Sequence, residues 1–355
     1  MVPVIDLARR GDRYLTPFTD AVARVVGSGQ VLLGPELVAF EDAFALYTGH
    51  ATCVGVASGA TGLQLALAAL GVGPGDEVIV PAFTAVPTAS AVCALGARPV
   101  PVDVEEATAT IDVDAAAAAV TPTTKAIVPV HLYGRPSATG AELGLPVVED
   151  AAQAHGALPR VRGPQASAAT AYSFYPTKNL GGIGDGGAIV TDDAELATVV
   201  RRLRVHGMSA QYVHTEISQN FRMSEIEAAW LSLLLPDLDA ANTRRRHVAG
   251  AYRAAAPDLR WHAPHPHHVY HLAVVRVAER DRFRAELTDL GIATAVHYPL
   301  ALTQQPAYRS FGWPSCPRAE AWAAECVSLP CFPELTDAEV DQVANALTKL
   351  AGSHH

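Results

Sequence analysis

Two periodicities alternate along the first half of the chain. "TGLQLALAAL" (61–70) repeats its apolar positions at helical spacing, and "GVGPGDEVIVP" (71–81) is a turn feeding a short β-rich run that Pro81 ends. "ASAVCALG" reads as helix, "ARPVPVDV" as extended, "AAAAAV" as helix and "KAIVPVHLYG" as a buried strand. "LPVVEDAAQAHGA" is a strand running into a turn, and "AATAYSFYP" and "GAIVTD" are further strands. Strands recurring between helices predict an α/β fold with a mostly parallel sheet covered on both faces. Residues 223–254 read as helix, interrupted at Pro236. Beyond them "HVYHLAVVRV" (strand), "RDRFRAELTDLG" (helix), "IATAVHYP" (strand) and "TDAEVDQVANALTKL" (helix) suggest a smaller α+β domain. The expected division is a large domain over 1–236, N-terminal segment included, and a small one over 237–355.

The 355-residue length suits two domains. A formal net charge of −10 argues against a nucleic-acid partner. No apolar run of membrane-spanning length occurs, and "MVPVIDLARRGDRY" carries charges where a secretory leader has its apolar core. The five cysteines stand singly, without a C-x-x-C pair, so no metal site is expected and a reducing cytoplasm is. The stretch "HAPHPHH" (262–268) reads as a solvated loop, and the terminal "GSHH" as a tag remnant.

Candidate chemistry centres on "AYSFYPTKNLGGIGDGGAIVT" (171–191). Gly182, Gly184 and Gly187 satisfy G-x-G-x-x-G, but a strand pattern follows where a dinucleotide fingerprint needs a helix. Lys178 precedes the glycines, and Asp150 ends the strand "PVVED". Opposite charges at two strand ends make a salt bridge as readily as a site. "VASGATGLQLAL" (56–67) adds Ser58, Gly59, Ala60 and Thr61 between a strand and a helix, where amides and the helix dipole favour a phosphate, or where a plain helix cap sits. Ser173 offers another hydroxyl. A phosphate cradle, a carboxylate and an amine are what pyridoxal 5′-phosphate needs: the amine forms a Schiff base and the carboxylate keeps the ring nitrogen protonated. The glycines beside Lys178 are expected to leave room for the ring.

At these motifs the chain resembles the DegT/DnrJ/EryC1/StrS family of pyridoxal-phosphate-dependent sugar aminotransferases. The resemblance runs from about residue 4 to 348 through "LLGPELVAFEDAFALYTG", "ASGATGLQLAL", "VVEDAAQAHGA", "YSFYPTKNLGGIGDGGAIVT", "NFRMSEIEAA", "AVHYPLA" and "LPCFPELTDAEVDQV". It implies fold type I, the aspartate-aminotransferase-like architecture, with a seven-stranded, mostly parallel sheet and a homodimer sharing its active sites. It makes Lys178 the Schiff-base lysine, Asp150 the partner of the ring nitrogen, Gln153 the neighbour of the ring hydroxyl and Ser173 a phosphate ligand. It places Gly59 and Ala60 at the phosphate through their main chain, and Asn220 at the neighbouring subunit's phosphate. Arg222, His297 and Tyr298 become candidates for substrate contact, and His155 and His131 structural residues.

Three departures matter. Ala60 precedes Thr61, which displaces the cradle hydroxyl by one. Ala85 stands where members often stack an aromatic on the ring; Phe83, two residues earlier, falls on the same strand face as a candidate for that place, but reads more readily as a packed core aromatic. Thr303 replaces the last histidine of the C-terminal motif. The implied reaction moves an amino group from an amino-acid donor such as L-glutamate to a keto sugar on a nucleoside diphosphate. "KNLGGIGDGG" leans toward 3-keto sugars; a 4-keto sugar, a keto-inositol, or a regulatory protein retaining the fold are the alternatives. Lys178 in place of histidine argues against a dehydratase.

Overall fold

A computed structural model describes residues 1–159 and 167–351. Seven strands form its central sheet: β1 (Thr52–Val56), β2 (Glu77–Pro81), β3 (Arg98–Val102), β4 (Thr124–Ile127), β5 (Val148–Asp150), β6 (Ala169–Ser173) and β7 (Gly187–Thr191). The order is β1-β7-β6-β5-β4-β2-β3. The β4–β5 join rests on two parallel bridges, Ile127 to Val147 and Val130 to Asp150. Only β7 runs antiparallel to its neighbours. The mostly parallel seven-stranded sheet implied by the sequence is therefore present.

Both faces of the sheet are dry, which is why its strands read as near-continuous apolar runs. In β1, Val54 and Val56 face one core cluster while Cys53 faces another; Ala171 and Tyr172 in β6 divide the same way. Helices α1 (Leu7–Ser28), α2 (Pro35–Thr48), α3 (Gly59–Ala69), α4 (Pro87–Cys93), α5 (Val113–Ala118) and α6 (Ala194–Leu203) belong to this half. Ser58 begins α3 by accepting the Thr61 amide through its hydroxyl at 3.1 Å.

The long helical pattern over 223–254 resolves into α7 (Glu225–Leu234), a 3₁₀ turn at Leu235–Asp237 and α8 (Leu238–Ala255), so Pro236 interrupts it as expected. A hairpin of β8 (Met208–Ala210) and β9 (Val213–His214) precedes it. The C-terminal part pairs β10 (Arg260–Trp261), β11 (Ala273–Arg276) and β12 (Cys326–Leu329) against α9 (Arg280–Asp289), α10 (Pro317–Glu325) and α11 (Asp337–Ala351). Its core gathers Tyr252, Phe283, Val327, Phe332 and Leu347.

Three local readings differ from expectation. "IATAVHYP" forms no strand, only two isolated bridges, Ile292 to Val2 and Ala295 to Ser328. Val2, read as part of the large domain, pairs with Ile292 and enters the C-terminal core. The histidine-rich loop is not solvated throughout: His262 and His268 are buried, with His262 edge-on to Tyr133 and Trp322. No helix among the described residues is long and apolar enough to cross a membrane, and no group of three metal-ligating side chains occurs among them.

Candidate active site

The ends of β5 and β6, the N-terminus of α3 and the turn after β6 enclose a cavity of about 250 Å³. Asp150 and Lys178 both line it, with Gly59, Ala60, Ala85, Gln153 and Ser173. Seven sequence candidates thus converge, although they come from four separate stretches of chain.

Lys178 projects from a rigid turn. Its amide bonds to the Tyr175 carbonyl at 2.8 Å, and Arg10 reaches from α1 to the Pro176 carbonyl at 3.0 Å. Behind it Asn179 donates to Asn242 (2.8 Å) and to the Val269 carbonyl (3.1 Å). Burial lowers the ammonium to about 8, against the pull of Asp150. The amine is therefore neutral far more often near pH 7 than a free lysine is, which a base requires.

Asp150 is buried at the end of β5, where the Thr88 hydroxyl donates to Oδ2 at 2.9 Å and the Ala152 amide to Oδ1 at 3.1 Å. Burial raises its pKa; those two donors and Lys178 oppose the rise. Thr88 is held in turn by Thr84, 3.1 Å away, whose side chain also lines the cavity. These two threonines were not singled out from sequence, because a hydroxyl partner 62 residues from its carboxylate leaves no local signal.

Gln153 accepts the Tyr133 amide at 2.6 Å, and that bond points its NH₂ to the Tyr298 hydroxyl at 2.9 Å. Tyr133 adopts a left-handed backbone (φ 59°) to present the amide. At the cradle, Gly59 is required by contact: a Cβ there would stand 2.6 Å from the Ser173 Cβ. The missing side chain lets the start of α3 meet β6, bringing helix amides and the Ser173 hydroxyl to one spot.

Other candidates lie elsewhere. Thr61 pairs its hydroxyl with Ser58 Oγ at 2.8 Å and is not among the residues lining the cavity, so it supports the Ser58 cap of α3. Phe83 is fully buried, stacked on Trp322 with ring centroids 6.1 Å apart, and is a core aromatic with no face on the cavity. Asn220 is exposed and accepts from Arg222 Nε at 2.8 Å, so this pair lies outside the cavity of its own chain. His297 bonds Ser328 Oγ at 2.9 Å, and burial with the charge of Lys178 holds it down to about 4. His155 is buried against Tyr172 and Phe174, and burial keeps it neutral, at about 3. His131 bonds Glu149 Oε2 at 2.7 Å and accepts the Ser137 amide. Both histidines hold the scaffold.

The glycines after Lys178 do something other than leave room for a ring. Gly181 packs on the backbone of Pro176, where a Cβ would stand 2.8 Å from the carbonyl carbon. At Gly182 a Cβ would stand 2.7 Å from the carboxyl carbon of Glu227, a residue of α7. The loop closes around the protein's own carboxyl group.

The description "DegT/DnrJ/EryC1/StrS aminotransferase family" fits residues 16–348. The chain belongs to this family. A Streptomyces venezuelae relative named dTDP-3-amino-3,4,6-trideoxy-alpha-D-glucose transaminase is 44% identical, over 99% of this chain and 96% of its own. The Saccharopolyspora erythraea protein named erythromycin biosynthesis sensory transduction protein EryC1 is also 44% identical, over 98% of both. The crystal structure of S. venezuelae DesV in complex with ketimine intermediate superposes with a TM-score of 0.94 at 43% identity, covering 99% of this chain and 98% of that one. Fold type I, expected from the motifs, is confirmed by that match, and the chain is an aminotransferase of the pyridoxal-phosphate-dependent class.

Proposed function

We propose that this family member transfers an amino group from L-glutamate, or a similar amino acid, to a 3-keto deoxy sugar carried on a nucleoside diphosphate. The observation that carries the reading is the meeting of Lys178, Asp150 and the amide-rich start of α3 in one cavity. Those residues fit pyridoxal 5′-phosphate. Gly59, Ala60 and Ser173 would hold its phosphate, Asp150 its ring nitrogen, Gln153 its ring hydroxyl and Lys178 its aldehyde carbon. The bound group supplies an electrophilic carbon and an electron-withdrawing ring. Lys178, in its neutral form, would take the α-proton of the donor and return it to the neighbouring carbon. A cationic ring nitrogen gives Asp150 the counter-charge that burial otherwise denies it. Thr88 and the Ala152 amide hold the carboxylate in one orientation, and the Tyr133 amide does the same for Gln153.

The working unit in this reading is a homodimer. Asn220, exposed in one chain, and the half-buried Arg222 beside it extend toward the partner's cradle and substrate, and the exposed Tyr175 and Ile183 become covered. His297 and Tyr298 contact substrate; Tyr298 is already tied to the site through Gln153. The division into a large domain over 1–236 and a small one over 237–355 goes with the same reading. Five unpaired cysteines suit a cytoplasmic enzyme of amino-sugar assembly, antibiotic sugars included.

The 3-position rests on the trideoxyglucose relative's name and on "KNLGGIGDGG". The deciding experiment gives the cofactor-loaded protein L-glutamate and, separately, nucleoside-diphosphate 3-keto and 4-keto sugars and a keto-inositol. Stoichiometric 2-oxoglutarate and aminated product are expected with the 3-keto sugar; preference for either other acceptor contradicts the assignment. Failure of all three in a protein that binds the cofactor favours the regulatory alternative.

A further inference from the structure

The first turn of α7 carries two buried carboxyl groups with different surroundings. Glu225 is fully satisfied: it accepts the amides of Gly34 (2.8 Å), Leu37 (3.2 Å) and Glu36 (2.8 Å), and so caps α2. Glu227 turns the other way, into the glycine loop. Its Oε2 accepts the Gly184 amide at 3.1 Å, while its buried Oε1 has no hydrogen-bond partner. Gly182 and Gly186 pack against its side chain so closely that a Cβ at either would stand 2.7 Å from Cδ or 3.3 Å from Cγ. The loop is bonded to the sheet at both sides, Gly182 N to the Phe174 carbonyl and Phe174 N to the Gly186 carbonyl, each at 2.7 Å. Between these anchors stands Asp185, an exposed residue that lines the Lys178 cavity.

We propose that Glu227 is a positioning residue: gripped by the glycine loop, its carboxyl group holds Asp185 at the cavity wall, where Asp185 accepts a hydroxyl hydrogen of the keto sugar. The inference rests on the sugar-aminotransferase reading given above. An amino-acid donor brings its own carboxylates, which a bare aspartate repels, whereas sugar hydroxyls only need an acceptor. A buried carboxyl oxygen without a hydrogen-bond partner is costly, so its retention calls for a structural reason. Burial pushes Glu227 up to about 7, against the Gly184 and Ile183 amides and with the charge of Asp185 adding to the rise. A proton is therefore shared with the buried carboxyl group near neutrality, and glutamine is the fitting isostere. Charges facing the loop from other elements include the Arg10 guanidinium at Gly181 and Lys178 in the same cavity as Asp185.

The test compares Glu227→Ala, Glu227→Gln, Asp185→Ala and the Glu227→Ala/Asp185→Ala pair. In the unloaded protein, hydrogen exchange of the 182–186 amides should quicken by about 100-fold in Glu227→Ala and stay near wild type in Glu227→Gln. In the loaded enzyme, Glu227→Ala and Asp185→Ala should each raise KM for the keto sugar about tenfold, with kcat and KM for glutamate little changed. The pair should be no worse than either alone, because both remove one contact. Unchanged exchange in Glu227→Ala, multiplying KM effects, or an equal rise in KM for glutamate overturns the proposal. Absent turnover in the wild type, with the exchange pattern as expected, strikes the keto-sugar reading and leaves the grip of Glu227 standing.

Discussion

Two glycine-bearing turns flank the candidate cavity and use their missing side chains in opposite ways. At the start of α3, Gly59 lets the helix approach β6, and the space in front of its amides stays open as cavity. In the loop after Lys178, the space around Gly182 and Gly186 is filled by Glu227. The first turn offers donors to a ligand; the second takes an internal acceptor. A run of glycines therefore marks a close approach, and the approaching group has to be found in three dimensions.

The contrast can be broken most severely at Lys178 and Asp150, which belong to the open turn's cavity. Lys178→Ala should lower turnover by at least about 10³-fold, the scale of a lost acid–base group. Asp150→Asn should cost about 10²- to 10³-fold with the fold intact, since a neutral amide cannot balance a cationic ring. Measured kcat close to wild type in either variant removes the corresponding role.

Next in size are the glycines themselves. Gly182→Ala should destabilise the protein by about 1–3 kcal/mol through overpacking, and Glu227→Ala in the same chain should recover most of that loss. Gly59→Ala should instead weaken cofactor binding, and the Glu227 change should give it no relief. Denaturant unfolding and cofactor titration separate the two; relief of both by one substitution would erase the distinction. Thr88→Val removes one donor from a buried carboxylate and should cost about 1.5–3 kcal/mol in transition-state stabilisation, read from kcat/KM.

A pH dependence also follows from the Glu227 carboxyl group. Glu227 titrates near 7 in the folded protein and near 4.5 unfolded. The folded state then holds more protons between those values, so this group makes stability fall as pH rises from about 4.5 to 7. Glu227→Gln should therefore unfold at a higher temperature than wild type at pH 8, with the gap shrinking at pH 4. A constant gap across that range would show that the carboxyl group does not titrate in this window.

The sequence displays the central sheet because strands dry on both faces become continuous apolar runs, and Lys178 and Asp150 because they stand at strand ends beside those runs. Thr88, Thr84 and the amide of Tyr133 were hidden, since each acts on a residue far along the chain through an ordinary side chain or the backbone. Strand alternation alone left Phe83 open between ring stacking and the core; Trp322, from α10, covers its face and makes it a core aromatic, the reading the sequence favoured. Glu227 was hidden within an amphipathic helix pattern, where a glutamate two residues after another reads as solvent-facing. Val2 joins the C-terminal core through its bridge to Ile292, although it stands close to α1 in sequence.

The chain contains three lysines, and Lys125 and Lys349 are exposed and lie outside the cavity. Borohydride reduction of the cofactor-loaded protein, followed by peptide mass mapping, therefore tests the central claim directly. The cofactor is expected to be fixed on the peptide carrying Lys178 alone, with loss of the visible absorbance band. Label on Lys125 or Lys349, or none with the band intact, would contradict the account.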